Sequence, residues 1–316
     1  MDAFRVISPG SFTTVQDRGR YRFIDRGVPP SGALDLFATG IANLLVGNPA
    51  GAAVLEITLM GPVLEVLGEA DVALAGADMA FTVNRQPVPM WQTVRVKKGD
   101  VIQIRQAKSG CRSYLAVTGG IDVPVVMGSR ATCVKAKIGG VEGRPLKKDD
   151  VLARIPAAVL ARPRALPADL APVYPPEIVL RAVAGPQEEA FRSGLQTFFG
   201  NIYEVTPEAD RMGYRLQGPP IQHDEGFPQS IISEPTVAGN VQLPADGQPI
   251  ILLVEQTTGG YTKIATVIST DLSKIAQALP GNQVRFLEVT LAEAHRLCRE
   301  QALLLRQIEA RLSTNR

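Results

Sequence analysis

Apolar and polar positions alternate with a period of two along most of this 316-residue chain. The pattern is clear in FRVIS (4–8), VLEITL (54–59), TVRV (93–96), VIQIR (101–105) and SYLAVT (113–118). It returns in IVLRAV (178–183), IILLV (250–254), TKIATVI (262–268) and VRFLEV (284–289). Successive residues of a strand face opposite sides, so this alternation predicts half-buried strands. Gly, Pro, Asn and Asp interrupt the runs at GPV, KKGD, VTGGID, LQGPP, PADGQP and PGNQ. Short strands punctuated by turn residues predict a mainly β protein of barrels or sandwiches, not βαβ units.

Helical spacing replaces alternation in two places. Leu34, Phe37, Ala38, Ile41, Leu44 and Leu45 predict a helix over 33–46, started by Ser31-Gly32 and stopped by Gly47-Asn48-Pro49. Thr290 with Glu293 forms a capping box, and Leu291, Ala294, Leu297, Leu304, Ile308 and Leu312 carry an apolar stripe from there. That C-terminal helix is expected to pack on a barrel. Residues 156–177 hold six prolines and no strand pattern, which predicts a linker between a domain at 1–155 and a second at 178–316. KKGDVIQI and LPGNQVRF, and GPVLEV and GPPIQH, are a faint internal echo of the kind a duplication leaves.

Composition narrows the function classes. With 45% apolar and 20% charged residues the chain can bury a core. Its formal charge, 33 − 31 = +2, gives no electrostatic footprint for nucleic acid or a membrane surface. MDAFRVISPGS lacks a basic region followed by an apolar stretch, and no run approaches the ~18 apolar residues of a membrane span. Cys111, Cys133 and Cys298 are odd in number and form no CxxC, as in a reduced cytoplasmic protein. With His223 and His295 the only histidines, no metal site is expected, and no GxSxG elbow accompanies them.

LVEQTTGGYTKIATV (253–267) comes near a phosphate-cradling loop. A Walker A loop needs GxxxxGK[ST] opening a helix, so that backbone amides and the helix N-terminus meet the phosphate together. Here the following residues alternate like a strand. The residues by themselves predict strand, turn, strand, with Gly259-Gly260 at positive φ. Gln256, Thr257, Thr258 and Lys263 nevertheless place polar groups beside an apolar strand, where a ligand could meet backbone.

Eight blocks, in order, resemble one family. They are SPGSFTTVQDRGR (8–20), GVPPSGALD (27–35), ANLLVGN (42–48), LEITLMGP (55–62), YLAVTGGIDVPVVMGSR (114–130), GGVEGRPL (139–146), ADRMGYRLQGP (209–219) and QTTGGYTKIATV (256–267). The chain is similar over nearly its whole length to the biotin-dependent carboxyltransferase-like family, also called allophanate hydrolase subunit 2. The resemblance implies two cyclophilin-like β-barrel domains with a few helices. It also implies a cytoplasmic protein working with A-like and B-like sister proteins in an ATP-dependent 5-oxoprolinase, which opens the lactam of 5-oxoproline to glutamate. Two other activities occur in the family. One is carboxyl transfer to urea or another amide from biotin, which a partner would carry because no AMKM segment is present; the other is non-catalytic binding of a kinase-inhibitor sister protein. Two departures stand out: Val254-Glu255 where many relatives have Asp-Arg, and Lys147-Lys148-Asp149-Asp150 where relatives usually place glycine before the second aspartate.

Within these blocks each polar residue has a structural and a functional reading. Asp17 either caps a turn or orients an arginine or acts as a base; Arg20 is either solvated or forks onto a carboxylate or phosphate. Asp35, Thr39 and Asn43 recur every fourth residue, as a solvent face or, for Asp35 and Asn43, a cleft lining. Glu56 points away from the side that Leu55 and Ile57 bury, outward or into a site. Asp210 and Arg211 either pair with each other before Gly213 or meet ligand. Lys263 snorkels or binds an anion, and His223 in QHDEG reads as a solvated loop histidine. Under the 5-oxoprolinase reading Asp17, Arg20, Asp35, Arg211 and Lys263 form the catalytic set. Asn43, Glu56, Gln242, Gln256, Thr257, Thr258 and Tyr261 bind a small amide substrate.

Overall fold

The computed structural model describes residues 1–314, which form two compact units. The first comprises Met1–Arg20, Ser31–Tyr174 and the chain from Leu304 onward; the second comprises Tyr21–Pro30 and Pro175–Leu303. The protein is mainly β, as the alternation predicts, and no described helix is long and apolar enough to cross a membrane.

In the first unit the elements are β1 (Asp2–Ser8), β2 (Phe12–Gln16), α1 (Leu36–Leu45), β3 (Val54–Thr58), β4 (Val63–Val66), β5 (Ala70–Val83), β6 (Gln86–Pro87), β7 (Val94–Val96), β8 (Val101–Val117), β9 (Ile121–Asp122) and β10 (Val151–Arg154). They make a nearly closed antiparallel sheet in the order β2-β3-β8-β4-β1-β10-β9, with β5 along β8. VIQIR and SYLAVT, which read as two strands, are the ends of the single β8. Three register shifts let β5 and β8 bend and stay paired past each interruption. Phe4, Val15, Leu55, Ile57, Leu74 and Leu115 belong to the core on one face of this sheet. On the other face α1 lays Ala38, Ile41 and Leu45 against Val54, Ala73, Tyr114 and Ala116. Where α1 lies the sheet is therefore covered on both sides, so alternate residues of 54–57, 73–75 and 114–116 do not reach water.

The second unit contains β11 (Glu177–Ala184), α2 (Arg192–Gly200), β12 (Ile202–Ala209), β13 (Gly213–Gln217), β14 (Ser230–Pro235), β15 (Asn240–Leu243), β16 (Ile250–Leu252), β17 (Thr258–Val267), α3 (Leu272–Ile275) and β18 (Gln283–Glu288). Seven strands run β11-β18-β12-β13-β16-β15-β17, and β17 pairs back onto β11, which closes the ring. β14 stands outside the ring, attached to the first residues of β17. Phe198 of α2 stacks on Phe286 of β18 at 4.2 Å between ring centroids. The last helix, α4 (Leu291–Thr314), starts at the expected box, where Glu293 N donates to Thr290 Oγ1 at 3.2 Å. Its Ile308 and Leu312 are buried with α1 in the first unit's second core cluster.

The units divide the chain differently from a linker at 156–177, because residues up to Tyr174 belong to the first unit. Leu160 N donates to the buried Asp71 carboxylate at 2.6 Å, and Thr93 and Arg164 exchange two 2.8 Å bonds. Proline removes donors, yet this segment keeps enough N–H groups to be held by specific acceptors. α1 also begins later than expected. Asp35, not Ser31-Gly32, is its N-cap, accepting from Ala38 N at 3.0 Å.

Candidate functional site

The second unit gathers polar side chains where β14 crosses the start of β17. Lys263 lies opposite Gln242 of β15 and is 2% exposed, too buried for a snorkelling lysine. Its ammonium is paired with the Glu234 carboxylate of β14. Gln187, in the loop after β11, joins both: its Oε1 accepts from Lys263 N and its Nε2 donates to Glu234 Oε1, each at 3.0 Å. These two donors hold the Glu234 carboxyl below the usual glutamate range, with Lys263 the larger cause. The buried Gln242 amide donates to Tyr261 O at 3.3 Å.

Gly259 and Gly260 do not make a turn. Both are absent from the positive-φ glycines and lie inside β17, so the strand–turn–strand expectation is corrected. Space, not φ, favours glycine at 259: an added Cβ would overlap Gln242 Nε2, so the buried carboxamide would have to move aside. A Cβ on Gly260 would come 3.2 Å from Ile231 O and Ser233 Oγ of β14. The two glycines thus let β14 and the Gln242 carboxamide approach the strand.

Beside Lys263, the buried Thr262 hydroxyl is 2.8 Å from His223 Nε2, and the imidazole packs on Phe191 at 4.5 Å between centroids. His223 is therefore a packed residue, not a solvated loop histidine, and burial pushes its pKa below the ordinary value. Arg211 is buried and pairs with Glu255 at 2.6 Å. Glu255, the charge departure from the family pattern, thus has a cationic partner of its own. Asp210 holds the turn through its carboxylate, accepting from Met212 N at 2.7 Å and Gly213 N at 3.2 Å. Gln256 lines a shallow depression of about 450 Å³ with Asp210, Met212 and Arg215. Thr257 O accepts from Thr236 N at 2.9 Å, while Thr258 and Tyr261 are exposed opposite Pro235 and Ser230 of β14.

In the first unit the predicted residues are joints of the framework. The Asp17 carboxylate accepts from Gly19 N (2.8 Å), Ser129 Oγ (2.6 Å) and Arg130 N (2.6 Å), tying two loops together. Arg20 is 2% exposed, not solvated, and its guanidinium donates to Ala131 O and, at 3.5 Å, to Val126 O. Asp35, besides capping α1, accepts from the Tyr174 hydroxyl at 3.2 Å, and its N–H donates to Tyr114 Oη at 2.8 Å. Asn43 donates to Ala52 O at 2.9 Å and accepts from Asn48 Nδ2 at 3.0 Å. Asp35, Thr39 and Asn43 are all buried, which excludes the solvent-face reading of that stripe; Thr39 Oγ1 donates to Asp35 O at 2.8 Å. Glu56 is 1% exposed, not outward, and accepts from Leu34 N at 2.9 Å. Burial first, then the nearby Glu56 and Asp35 charges, push the Tyr114 phenol well above its ordinary pKa; burial and Asp35 do the same to Tyr174.

The sequence reading missed Glu234 and Gln187. Neither lies in a motif, and the chain returns each to Lys263 from 29 and 76 residues away.

Residues 26–288 match the family model for the carboxyltransferase domain, subdomains A and B. The chain is 37% identical to the C subunit of 5-oxoprolinase from Escherichia coli over 98% of both chains. It is 34% identical to the C subunit of 5-oxoprolinase from Haemophilus influenzae over 96% of both. The crystal structure of the Kluyveromyces lactis urea amidolyase superposes with a TM-score of 0.92 at 30% identity, covering 97% of this chain and 20% of that one. This chain therefore spans about a fifth of the amidolyase. The match over most of the chain and the end-to-end identity agree: the protein belongs to the carboxyltransferase domain A and B family.

Proposed function

We propose that this chain is the C-type component of a cytoplasmic, ATP-dependent 5-oxoprolinase and works with A-like and B-like sister proteins. The observation that carries the reading is end-to-end similarity to two proteins named as the C subunit of 5-oxoprolinase. The Lys263 cluster supports it chemically, because 5-oxoproline is a carboxylate next to an amide. A buried ammonium flanked by the Gln187 and Gln242 carboxamides offers one charge for the carboxylate and neutral hydrogen-bonding groups for the lactam.

An unstrained lactam resists water; phosphorylation of its carbonyl oxygen by ATP opens the ring carbon to attack by water, the C–N bond then breaks to free the amine, and the acyl phosphate left behind is hydrolysed to glutamate and phosphate. The GGYTK strand does not fit a triphosphate: it opens no helix and its lysine is engaged by Glu234, so we place the nucleotide on one of the sister proteins. In this account Lys263 binds and orients the substrate anion, and the amides fix the ring. Glutamate released from 5-oxoproline by the purified chain, its sister proteins and ATP tests the reading. Production that requires this chain supports it; none, with the sister proteins competent beside another C-type component, removes it.

The match to urea amidolyase favours one alternative, carboxyl transfer from partner-borne carboxybiotin to urea or another amide. Transfer of labelled carboxyl to urea, with no glutamate formed, would select it.

A further inference from the structure

The Lys263 seat already contains a carboxylate, and it comes from the protein itself. We propose that Glu234 is a built-in competitor for a substrate carboxylate, and that β14 is the strap that carries it in and out of the seat. This inference rests on the reading of Lys263 as the anion-binding residue.

Three features of the second unit lead there. First, β14 is not part of the closed ring. It pairs with β17 through Ser230↔Tyr261, Glu234↔Gly259 and Pro235↔Thr258, with a register shift after Ser230. Its residues are exposed or half-buried, and Ile232 is 93% exposed, so little apolar burial holds the strand down. Second, the inner end of the strap is secured by polar bonds, from the Lys263 ammonium and the Gln187 amide to one oxygen of Glu234. The two donors converge on the place a ligand carboxylate would take. Third, β17 has no side chain at 259 or 260, so β14 and the Gln242 carboxamide pack directly against its backbone beside the seat.

Charge dictates how such a seat behaves. A buried ammonium stripped of its counter-ion is disfavoured, so the state in which Glu234 is out and no other anion is bound is a minor one. An arriving carboxylate takes that place. The Glu234 side chain is 39% exposed and reaches water by a short movement, whereas Lys263 remains fixed in the ring. The exchange makes the site selective: a neutral lactam cannot displace Glu234, and an acid can. The apparent affinity for the acid is the intrinsic affinity scaled by the fraction of protein in which Glu234 is out of the seat.

The test uses the full chain and Glu234→Gln, which keeps side-chain length and a carbonyl acceptor for Lys263 but removes the competing charge. Titrations use 5-oxoproline, acetate and the uncharged lactam 2-pyrrolidinone. Glu234→Gln is expected to bind both carboxylates about tenfold tighter than the parent chain with 2-pyrrolidinone unchanged, and Lys263→Met is expected to bind neither carboxylate. Hydrogen exchange on the unmutated chain is the arm that needs no variant: saturating acetate should speed exchange of amides 230–234 in β14 and leave the ring-paired residues 262–266 of β17 protected. Equal or weaker carboxylate binding by Glu234→Gln, or unchanged exchange in 230–234, overturns the proposal. Tighter acetate binding by the variant with no glutamate from the reconstituted complex would remove the oxoprolinase reading alone. Normal glutamate production without the binding gain would remove the competitor alone.

Discussion

Two sets of charged side chains, one in each unit, are held in opposite ways. In the first, Asp17, Asp35 and Glu56 accept from main-chain N–H groups that would otherwise be orphaned, and Arg20 donates to main-chain carbonyls. Each is fixed by groups that cannot leave. In the second, Lys263 faces Glu234, a side chain on a peripheral strand with access to water. Residues drawn from the family blocks therefore build the frame in the first unit, whereas Lys263, drawn from another such block, meets a carboxylate that the proposal makes exchangeable. A polar residue's presence in a motif does not separate these roles; the partner does.

Replacing joints should sharpen that contrast most. Asp17→Ala leaves Gly19 N–H, Arg130 N–H and the Ser129 hydroxyl without their acceptor, and is expected to cost about 3 kcal/mol in urea unfolding. Asp17→Asn should recover part of that loss, since it keeps one acceptor oxygen. A cost below ~1 kcal/mol would show that Asp17 is not a joint. Gly259→Ala comes next: its methyl meets the Gln242 carboxamide, and shifting that side chain should cost about 1–2 kcal/mol and weaken carboxylate binding. An alanine variant with full stability and binding would contradict the close approach drawn between β15 and β17.

Much of this arrangement was legible in advance, and what was not has physical causes. Alternation located the strands because each has a face in a core, and Thr290 with Glu293 marked the start of α4. The same alternation misplaced Glu56. Period two identifies two faces but does not say that α1 covers the second one. The Gly259-Gly260 pair read as a turn because glycine permits positive φ, whereas its use here is to make room, which depends on a Gln242 side chain 17 residues earlier in sequence. Glu234 and Gln187 carried no local signal, since ring closure and strand pairing alone bring them to Lys263. His223 looked solvated because QHDEG is polar; Phe191 and Thr262 cover it from elsewhere in the chain.

Smaller effects bear on the same contrast. Burial lowers the His223 pKa, so the folded second unit binds fewer protons than the unfolded chain just below the ordinary value of 6.5. Stability from this group is present above pH 6.5 and is lost as pH falls from there toward the depressed folded value. Urea midpoints between about pH 7.5 and 5.5 should fall in the parent chain and fall less in His223→Gln; parallel curves would show that His223 does not contribute. The smallest change concerns a turn of the first unit. Asp149 sits at φ +71°, in the same place that Gly99 takes at φ +91° in Lys97-Lys98-Gly99-Asp100, and in both turns the last aspartate accepts from the first lysine's N–H. Asp149→Gly relieves left-handed strain but loosens the unfolded chain, so the net change should stay within ~1 kcal/mol and leave binding unaltered.

The most direct measurement compares glutamate formation from 5-oxoproline and ATP by complexes containing the parent chain or Lys263→Met, with melting temperature and sister-protein binding followed in parallel. The account predicts a loss of at least about a hundredfold, the ~2.7 kcal/mol of one charged contact made to substrate, with partner binding intact. Full activity in the Lys263→Met complex would contradict it.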